Sequence, residues 1–237
     1  MAEGAAAARR TGLAAPRRTA LGRRPKAVLF DIDGTLVDSN YLHVDAWMRG
    51  LEQAGHPAPA WRVHRSIGMD SEALLDDLLP EGAGQEVRDR ASGGHKSAYL
   101  DSTDRLRPLP GARELIDELR AAGTTVVLAT SAPEDELRIL MDVLGLDEGD
   151  VATTNADDVD TAKPHPGIIA VALERGGATA AESVMIGDAV WDVVAAGRAG
   201  VPALAVRSGG IGRDELAEAG ARRVVDGVAD LRAELLD

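Results

Sequence analysis

The chain has 237 residues, which suits one large domain or one domain with a smaller insertion. Hydrophobic residues make up 45% but aromatic residues only 3%, so the core must be built from aliphatic side chains. The lack of cysteine excludes disulfides and thiolate metal sites, and no apolar run is long enough to cross a membrane. We therefore expect a cytoplasmic protein with no membrane partner.

Charge is distributed unevenly along the chain. Residues 1–26 carry seven basic residues and one acidic residue, so the net charge of −13 corresponds to −19 over residues 27–237. Residues 1–25 are rich in Ala and Arg and have no amphipathic pattern, and we predict a disordered basic tail there. The acidic charge of residues 27–237 disfavours nucleic-acid binding, so we expect no nucleic-acid partner. We also expect either a monomer or a dimer.

From Lys26 onward, short apolar runs alternate with amphipathic stretches. The runs are rich in β-branched and small residues and do not alternate with polar ones, which is typical of parallel strands buried on both faces. Strands are predicted at 27–31, 125–130, 150–154, 183–188, 202–206 and 222–226. Helices are predicted near 111–122, 133–144, 164–176, 190–199, 213–219 and 227–235. This alternation predicts an α/β fold with a doubly wound, Rossmann-like parallel sheet.

One long connection interrupts this alternation. Between Asp38 and Pro108 the sequence contains no credible strand, and it predicts four helices near 39–54, 60–67, 70–79 and 84–102. We predict that residues 39–107 form a small inserted α-helical cap domain. The α/β core domain would then consist of residues 26–38 and 108–237. Asp38 and Ser39 are suited to N-cap the first helix of the insert.

Polar residues follow the predicted strands at the end where open α/β sheets bind ligands. They are Asp31 and Asp33, Thr130 and Ser131, Lys163, and Asp188 and Asp192. Asp157 and Asp158 also follow a strand, and they either hold Lys163 or the metal site, or lie in a solvated loop. Carboxylates brought together at one edge need a compensating cation. Oxygen-only ligands indicate Mg²⁺, bound by Asp31, Asp188 and the backbone carbonyl of Asp33.

A magnesium ion, a lysine, a hydroxyl and turn N–H groups together make a phosphate site. In such a site one carboxylate attacks phosphorus, and a second one, two residues later, transfers protons. Gly34 gives the backbone the freedom to turn and lets a phosphoryl group approach closely. The loop "RSGGIGR" at 207–213 either wraps a phosphate or is a flexible turn.

Four segments, in order, resemble the motifs of the haloacid dehalogenase (HAD) superfamily in its phosphatase branch. They are "DIDGTLVDS" at 31–39, "VVLATS" at 126–131, "KPHP" at 163–166 and "IGDAVWD" at 186–192. The long insert is similar to the C1 helical cap of that superfamily, which implies closure over the substrate.

The resemblance implies a role for each matching residue. Asp31 would be the nucleophile and Asp33 the general acid/base. The phosphoryl group would be bound by Thr130, Ser131, Lys163 and Gly34. The Mg²⁺ site would use Asp31, Asp33 and Asp188, with Asp192 in support. We therefore expect a phosphatase that hydrolyses a small phosphate monoester, phosphoglycolate-like or sugar-phosphate-like, through an aspartyl-phosphate.

Two alternatives stay open. His43 and Trp47 lie where the β-phosphoglucomutases of the superfamily look similar, which makes a sugar phosphomutase the first alternative. Such an enzyme needs a cation in the cap to bind a second phosphate, and the corresponding position falls near Ser71, so Arg65 or Lys96 would have to substitute. His43 and Arg65 are accordingly candidate substrate residues. The second alternative is a non-catalytic phosphate-binding regulator.

Overall fold

The computed structural model describes residues 21–158 and 163–236, and its centre is a parallel β-sheet of six strands. All six predicted strands are present, and they pair in the order β3-β2-β1-β4-β5-β6. Their bounds are β1 Ala27–Phe30, β2 Thr125–Leu128, β3 Ala152–Thr153, β4 Ser183–Gly187, β5 Ala203–Val206 and β6 Arg223–Val225. The chain reverses its direction of travel across the sheet at β1, so the predicted doubly wound α/β class is confirmed.

Ten α-helices connect and cover the strands within the described ranges. They are α1 Asn40–Gln53, α2 Ala60–Ser66, α3 Ser71–Leu78, α4 Gln85–Leu100, α5 Ala112–Ala121, α6 Glu134–Leu144, α7 Gly167–Arg175, α8 Val190–Arg198, α9 Arg213–Glu218 and α10 Arg232–Leu236. The helix predicted at 227–235 is instead a 3₁₀ turn, Val228–Leu231, followed by α10. None of the helices in these ranges combines the length and apolarity that crossing a bilayer requires.

The sheet is buried on both faces, which explains its uninterrupted apolar strands. In β1, Val28 and Phe30 belong to the core layer that also contains apolar residues of α5, α6 and α10. Leu29 points the other way, into the layer formed with α7, α8 and α9. Successive strand residues point to opposite faces, so β1 supplies both layers.

Helices α1–α4 have an apolar cluster of their own, in which Trp47 and Leu51 pack with Leu75 and Ala91. The closest approach is between α1 and α4. A Cβ added to Gly94 would lie 2.7 Å from the Cα of Gly50, so the two glycines let the helices touch through their backbones. The assignment of residues 39–107 to a separate cap domain stays a prediction.

One local expectation needs correction. Ser39 precedes α1 as expected, but its side chain makes no capping bond; its hydroxyl donates to Asp33, and Asp38 is exposed. Residues 1–20 of the predicted tail lie outside the described residues. Beyond them, Arg23 donates to the carbonyl of Ala181 at 2.6 Å, just before β4. The assignment of residues 1–25 to a disordered tail stays a prediction.

The glycine contact between α1 and α4 makes a stability prediction. A Cβ at residue 50 would overlap the carbonyl oxygen of Ala91 and lie 2.7 Å from the amide nitrogen of His95. We expect Gly50→Ala to lower the free energy of unfolding by about 1–3 kcal/mol, measured by urea denaturation, because backbone atoms must move apart. Gly93→Ala is the control: its Cβ meets no atom within 4 Å, so added helix propensity should raise stability by about 0.5–1 kcal/mol. Equal effects at the two positions would contradict the packing argument.

Candidate active site

Three carboxylates converge at the carboxyl ends of β1 and β4, the two neighbouring strands at the point where the sheet order reverses. Asp31 directly follows β1, Asp188 directly follows β4, and Asp192 lies in the first turn of α8. One carboxylate oxygen from each lies within 4.8 Å of the others. Because β1 and β4 pair in register, two residues 157 positions apart meet at one edge.

Lys163 neutralises part of this charge. Its Nζ lies 2.5 Å from Oδ1 of Asp31 and 2.7 Å from Oδ1 of Asp192, and its side chain is only 3% exposed. Burial acts to lower the pKa of Lys163, but the attraction of the two carboxylates outweighs it and raises the pKa above the ordinary value. The lysine is therefore held charged between the first and the last acid of the cluster.

One lysine does not balance three carboxylates. Burial raises the pKa of Asp31 to about 7, with repulsion from Asp192 and Asp33 adding to it and the attraction of Lys163 opposing it. Burial together with repulsion from Asp31 and Asp192 also raises the pKa of Asp188 well above its usual range. A divalent cation would relieve this repulsion, and the all-oxygen donor set fits a hard ion. The buried acidic triad can therefore hold a metal.

Thr35 of the first motif, Asn40 and the backbone of Gly209 orient Asp188. Asn40 donates from Nδ2 to Oδ2 at 2.7 Å, and Thr35 donates from Oγ1 to Oδ1 at 3.2 Å. The backbone of Gly209 lies against the same carboxylate so closely that a Cβ there would overlap it. Asp192 is fixed differently: its Oδ2 accepts the N–H of Ala189, which leaves Oδ1 for Lys163.

Asp33 is bound by the first turns of α1. Ser39 donates to its Oδ1 at 2.5 Å, and Nε2 of His43 lies 3.3 Å from the same oxygen. Burial acts to raise the pKa of Asp33, but the charge and hydrogen bond of His43, with the Ser39 bond, lower it overall. The same pairing outweighs burial at His43 and raises its pKa.

A second, buried histidine contacts His43 on the side away from Asp33. Nδ1 of His43 lies 3.1 Å from Nε2 of His95, and burial lowers the pKa of His95 to about 3. His95 is therefore neutral and serves as a partner rather than as a second charge. Aromatic rings enclose the two histidines, with Tyr99 stacked on His43 at 4.0 Å and Trp47 stacked on His95 at 4.1 Å between ring centroids.

The predicted phosphate-binding residues lie beside the acidic cluster. Thr130 is buried, and its Oγ1 accepts the N–H of Ala132 at 3.0 Å, which fixes the turn after β2; Thr130 and Ser131 both line the adjoining cavity. Gly34 has φ of +73°, and a Cβ there would lie 2.6 Å from Oδ2 of Asp188. Glycine is thus required both by the turn and by the close approach.

A cavity of about 570 Å³ lies between this edge of the sheet and helices α1, α3 and α4. The predicted residues that line it are Asp31, Asp33, His43, Thr130, Ser131, Lys163 and Asp188. Arg65, a candidate substrate residue, does not line it, because its guanidinium forms a two-bond ion pair with Glu215 at the surface. Lys96 pairs with Asp135 at 2.7 Å.

Several contacts have no motif that would have revealed them. Asn40 and His95 reach the site only through the packing of α1 and α4, and Glu136 lines the cavity from the first turn of α6. The sequence predicts that the "RSGGIGR" loop either wraps a phosphate or is a flexible turn. In the structure, Gly209 of this loop packs on Asp188, and its carbonyl accepts a hydrogen bond from His64 at 2.8 Å. Asp158 pairs with Arg175, and the side chain of Asp157 lies outside the described part of the chain.

The site lies at the reversal point of a Rossmann-like sheet. It combines two aspartates after β1, a buried lysine and an acidic pair after β4. This combination is that of a hydrolase that transfers a phosphoryl group. The chain belongs to the haloacid dehalogenase-like hydrolase family, whose model matches residues 25–200. The predicted family and enzyme class are therefore confirmed.

The similar proteins include enzymes named as phosphatases. The chain is 32% identical over 216 residues to a phosphoglycolate phosphatase of Rhodospirillum rubrum, covering 87% of this chain and 89% of that one. A hydrolase structure from Pseudomonas syringae matches at 37% identity with a TM-score of 0.83, over 86% of this chain and 95% of that chain. A beta-phosphoglucomutase structure from Clostridium difficile, at 21% identity and a TM-score of 0.75 over 87% and 93%, shares the fold.

The position of Gly209 makes a prediction about metal binding. At a Mg²⁺ concentration 100-fold above Kd, binding should stabilise the wild type by about 2.7 kcal/mol, which raises Tm by roughly 5–10 °C. In Gly209→Ala the new Cβ displaces the Asp188 carboxylate, so we expect most of this rise to be lost in differential scanning calorimetry. Gly212→Ala, in the same loop, should keep it, because that Cβ meets nothing within 4 Å. A full Mg²⁺ response in Gly209→Ala would contradict the assignment of Asp188 to a metal site.

Proposed function

We propose that the chain is a Mg²⁺-dependent phosphatase that hydrolyses small phosphate monoesters through an aspartyl-phosphate on Asp31. The observation that carries the proposal is the bond of 2.5 Å between Lys163 and Asp31 beside Asp188, in the wall of the cavity. A nucleophilic carboxylate, a fixed positive charge and a metal-competent triad thus lie within contact distance. The expected partner is a phosphate ester; the monomeric or dimeric state and the cytoplasmic location stay predictions.

Each residue has a task that follows from its contacts. One oxygen of Asp31 attacks phosphorus, while Lys163 and the Thr130 turn hold the phosphoryl oxygens. Mg²⁺, when held by Asp31, Asp188 and the backbone carbonyl of Asp33, supplies positive charge to the transferring group. Asp192 supports the site by holding Lys163 at 2.7 Å.

Asp33 transfers the protons in this scheme. It protonates the leaving alcohol and later takes a proton from the water that attacks the phosphoenzyme. Ser39 and His43 both bind its Oδ1, so its other oxygen is the one available to the substrate. The lowered pKa of Asp33 means that this carboxyl is ionised before substrate arrives. A proton reaching Asp33 from the neighbouring His43 would prepare it to act as an acid.

The phosphomutase is the alternative supported by the contact between His43 and Asp33, which joins α1 to the acid/base residue. The charges of the cavity favour hydrolysis. Among the described residues that line the cavity, Lys163 is the sole lysine or arginine, and it already binds two carboxylates. Among the described lining residues, a second phosphate group would therefore meet no lysine or arginine of α1–α4, and His43 of α1 is already paired with Asp33. Arg65 is paired elsewhere.

The nucleophile is tested with a panel of about fifty phosphate monoesters, assayed for phosphate release with Mg²⁺ and with chelator. We expect Asp31→Asn to lower kcat by about a thousandfold or more, because the amide cannot form the acyl phosphate. Asp38→Asn is the control, since Asp38 is an exposed carboxylate close by in sequence. Absence of release from every ester by the wild type would rule out the phosphatase, and a conversion of one sugar phosphate into another would favour the mutase.

The acid/base assignment predicts a trapped intermediate. With p-nitrophenyl phosphate, whose leaving group needs no proton, Asp33→Asn should still transfer the phosphoryl group to Asp31. Hydrolysis of the phosphoenzyme should then stall, so intact-protein mass spectrometry should detect a phosphorylated chain that the double variant Asp31→Asn/Asp33→Asn lacks. Rapid turnover by Asp33→Asn would assign water activation to another group.

A further inference from the structure

One carboxylate in the cavity has no part in the proposed chemistry. Glu136, in the first turn of α6, lines the cavity and is only 6% exposed. No hydrogen bond or ion pair among the described residues involves its carboxylate group. Burial raises its pKa above the ordinary value, and the charge of His43 opposes this rise. An unpaired carboxylate is costly to bury, so its position in the wall calls for a partner that enters from the cavity.

The charged groups nearby are already paired with other residues. His43, whose charge acts on Glu136, is paired with Asp33 at 3.3 Å. The adjacent Asp135 pairs with Lys96 at 2.7 Å, so that lysine is already engaged. Glu72 and Asp76, on the α3 side of the cavity, both bind Arg88. Arg88 itself does not line the cavity.

The alcohol part of a substrate would reach this carboxylate. A phosphoryl group held by Asp31, Lys163 and Thr130 leaves the alcohol oxygen directed into the rest of the cavity. Glu136 follows Thr130 by six residues, and the turn between them carries Ser131 and Ala132, which also line the cavity. The carboxylate therefore lines the same cavity as the phosphate site, close enough to Asp33 and His43 to interact with their charges.

We propose that Glu136 is a specificity residue that accepts a hydrogen bond from a hydroxyl or ammonium group on the alcohol part of the ester. A carboxylate in that position would face Glu136, and the nearby cations His43 and Lys96 are already paired with Asp33 and Asp135. Like charges in a low-dielectric cavity repel strongly. The substrate class is thus a phosphate monoester of a polyol or an amino alcohol, and phosphoglycolate is disfavoured. This inference rests on the proposed phosphatase function and narrows it.

Three two-carbon esters of similar size separate these cases: 2-hydroxyethyl phosphate, 2-aminoethyl phosphate and 2-phosphoglycolate. The fourth substrate, p-nitrophenyl phosphate, carries neither a donor nor a second anion and reports the phosphatase reaction alone. We expect wild-type kcat/KM for the hydroxyl or the ammonium ester to exceed that for 2-phosphoglycolate by about tenfold or more.

Glu136→Gln keeps the shape and one acceptor oxygen but removes the charge. We expect this change to lower kcat/KM for the ammonium ester by about 10- to 100-fold, and to lower kcat/KM for the hydroxyl ester by a smaller factor. The turnover of p-nitrophenyl phosphate should be unchanged. The larger loss identifies which donor the site prefers. Glu136→Lys should raise kcat/KM for 2-phosphoglycolate, because the charge of the wall is then reversed. Glu134→Gln is the control, since Glu134 is exposed on the same turn and pairs with Arg138.

The outcomes distinguish the inference from the function on which it rests. If p-nitrophenyl phosphate is hydrolysed and 2-phosphoglycolate is the best of the three esters, the inference is wrong and the phosphatase stands. An equal effect of Glu136→Gln on all four substrates would also overturn it, because a structural role does not discriminate between esters. If the wild type hydrolyses none of the four but does hydrolyse other esters of the panel, the inference is wrong and the phosphatase stands. If it hydrolyses no ester at all, the proposed function fails and the inference fails with it.

Discussion

The ion-pair chain Asp31–Lys163–Asp192 is the interaction on which the site depends. Three carboxylates lie within 4.8 Å of one another at the ends of β1 and β4, and burial there makes their mutual repulsion strong. A single lysine placed between two of them reduces the repulsion while leaving Asp188 uncompensated. The fold can hold this arrangement because both strands are central and fully buried, so the backbone that carries Asp31 and Asp188 cannot relax outward.

Helix α1 couples the acidic cluster to the rest of the cavity. Within two turns it contributes Asn40 to Asp188 and His43 to Asp33, and Ser39 just before it binds Asp33 as well. The donors therefore arrive as one rigid unit. Any displacement of α1 away from the sheet would remove hydrogen bonds of Asp188 and of Asp33 together.

Sequence reasoning recovered the sheet because buried parallel strands have a distinct composition, and it placed Asp31, Thr130, Lys163 and Asp188 at one edge because strand ends in such a sheet coincide. Sequence reasoning failed for side chains whose partners are set by packing between distant parts of the chain. Arg65 looked like a free cation of the insert, but it pairs with Glu215, 150 residues away. Ser39 is of a residue type that favours the N-cap position, yet its side chain makes no capping bond and its hydroxyl donates to the carboxylate of Asp33.

The residues that sequence reasoning missed act on the charges and positions of the predicted site residues. His95 belongs to no motif, and its effect arises because burial keeps its ring neutral beside His43. A charged group at that position would repel a protonated His43 and weaken its pairing with Asp33. The aromatic enclosure by Trp47 and Tyr99 maintains the neutral state by excluding water. The apolar packing of α1 against α4 thus controls the electrostatics of the acid/base residue, so the same contacts that stabilise these helices also set the charge of the cavity wall.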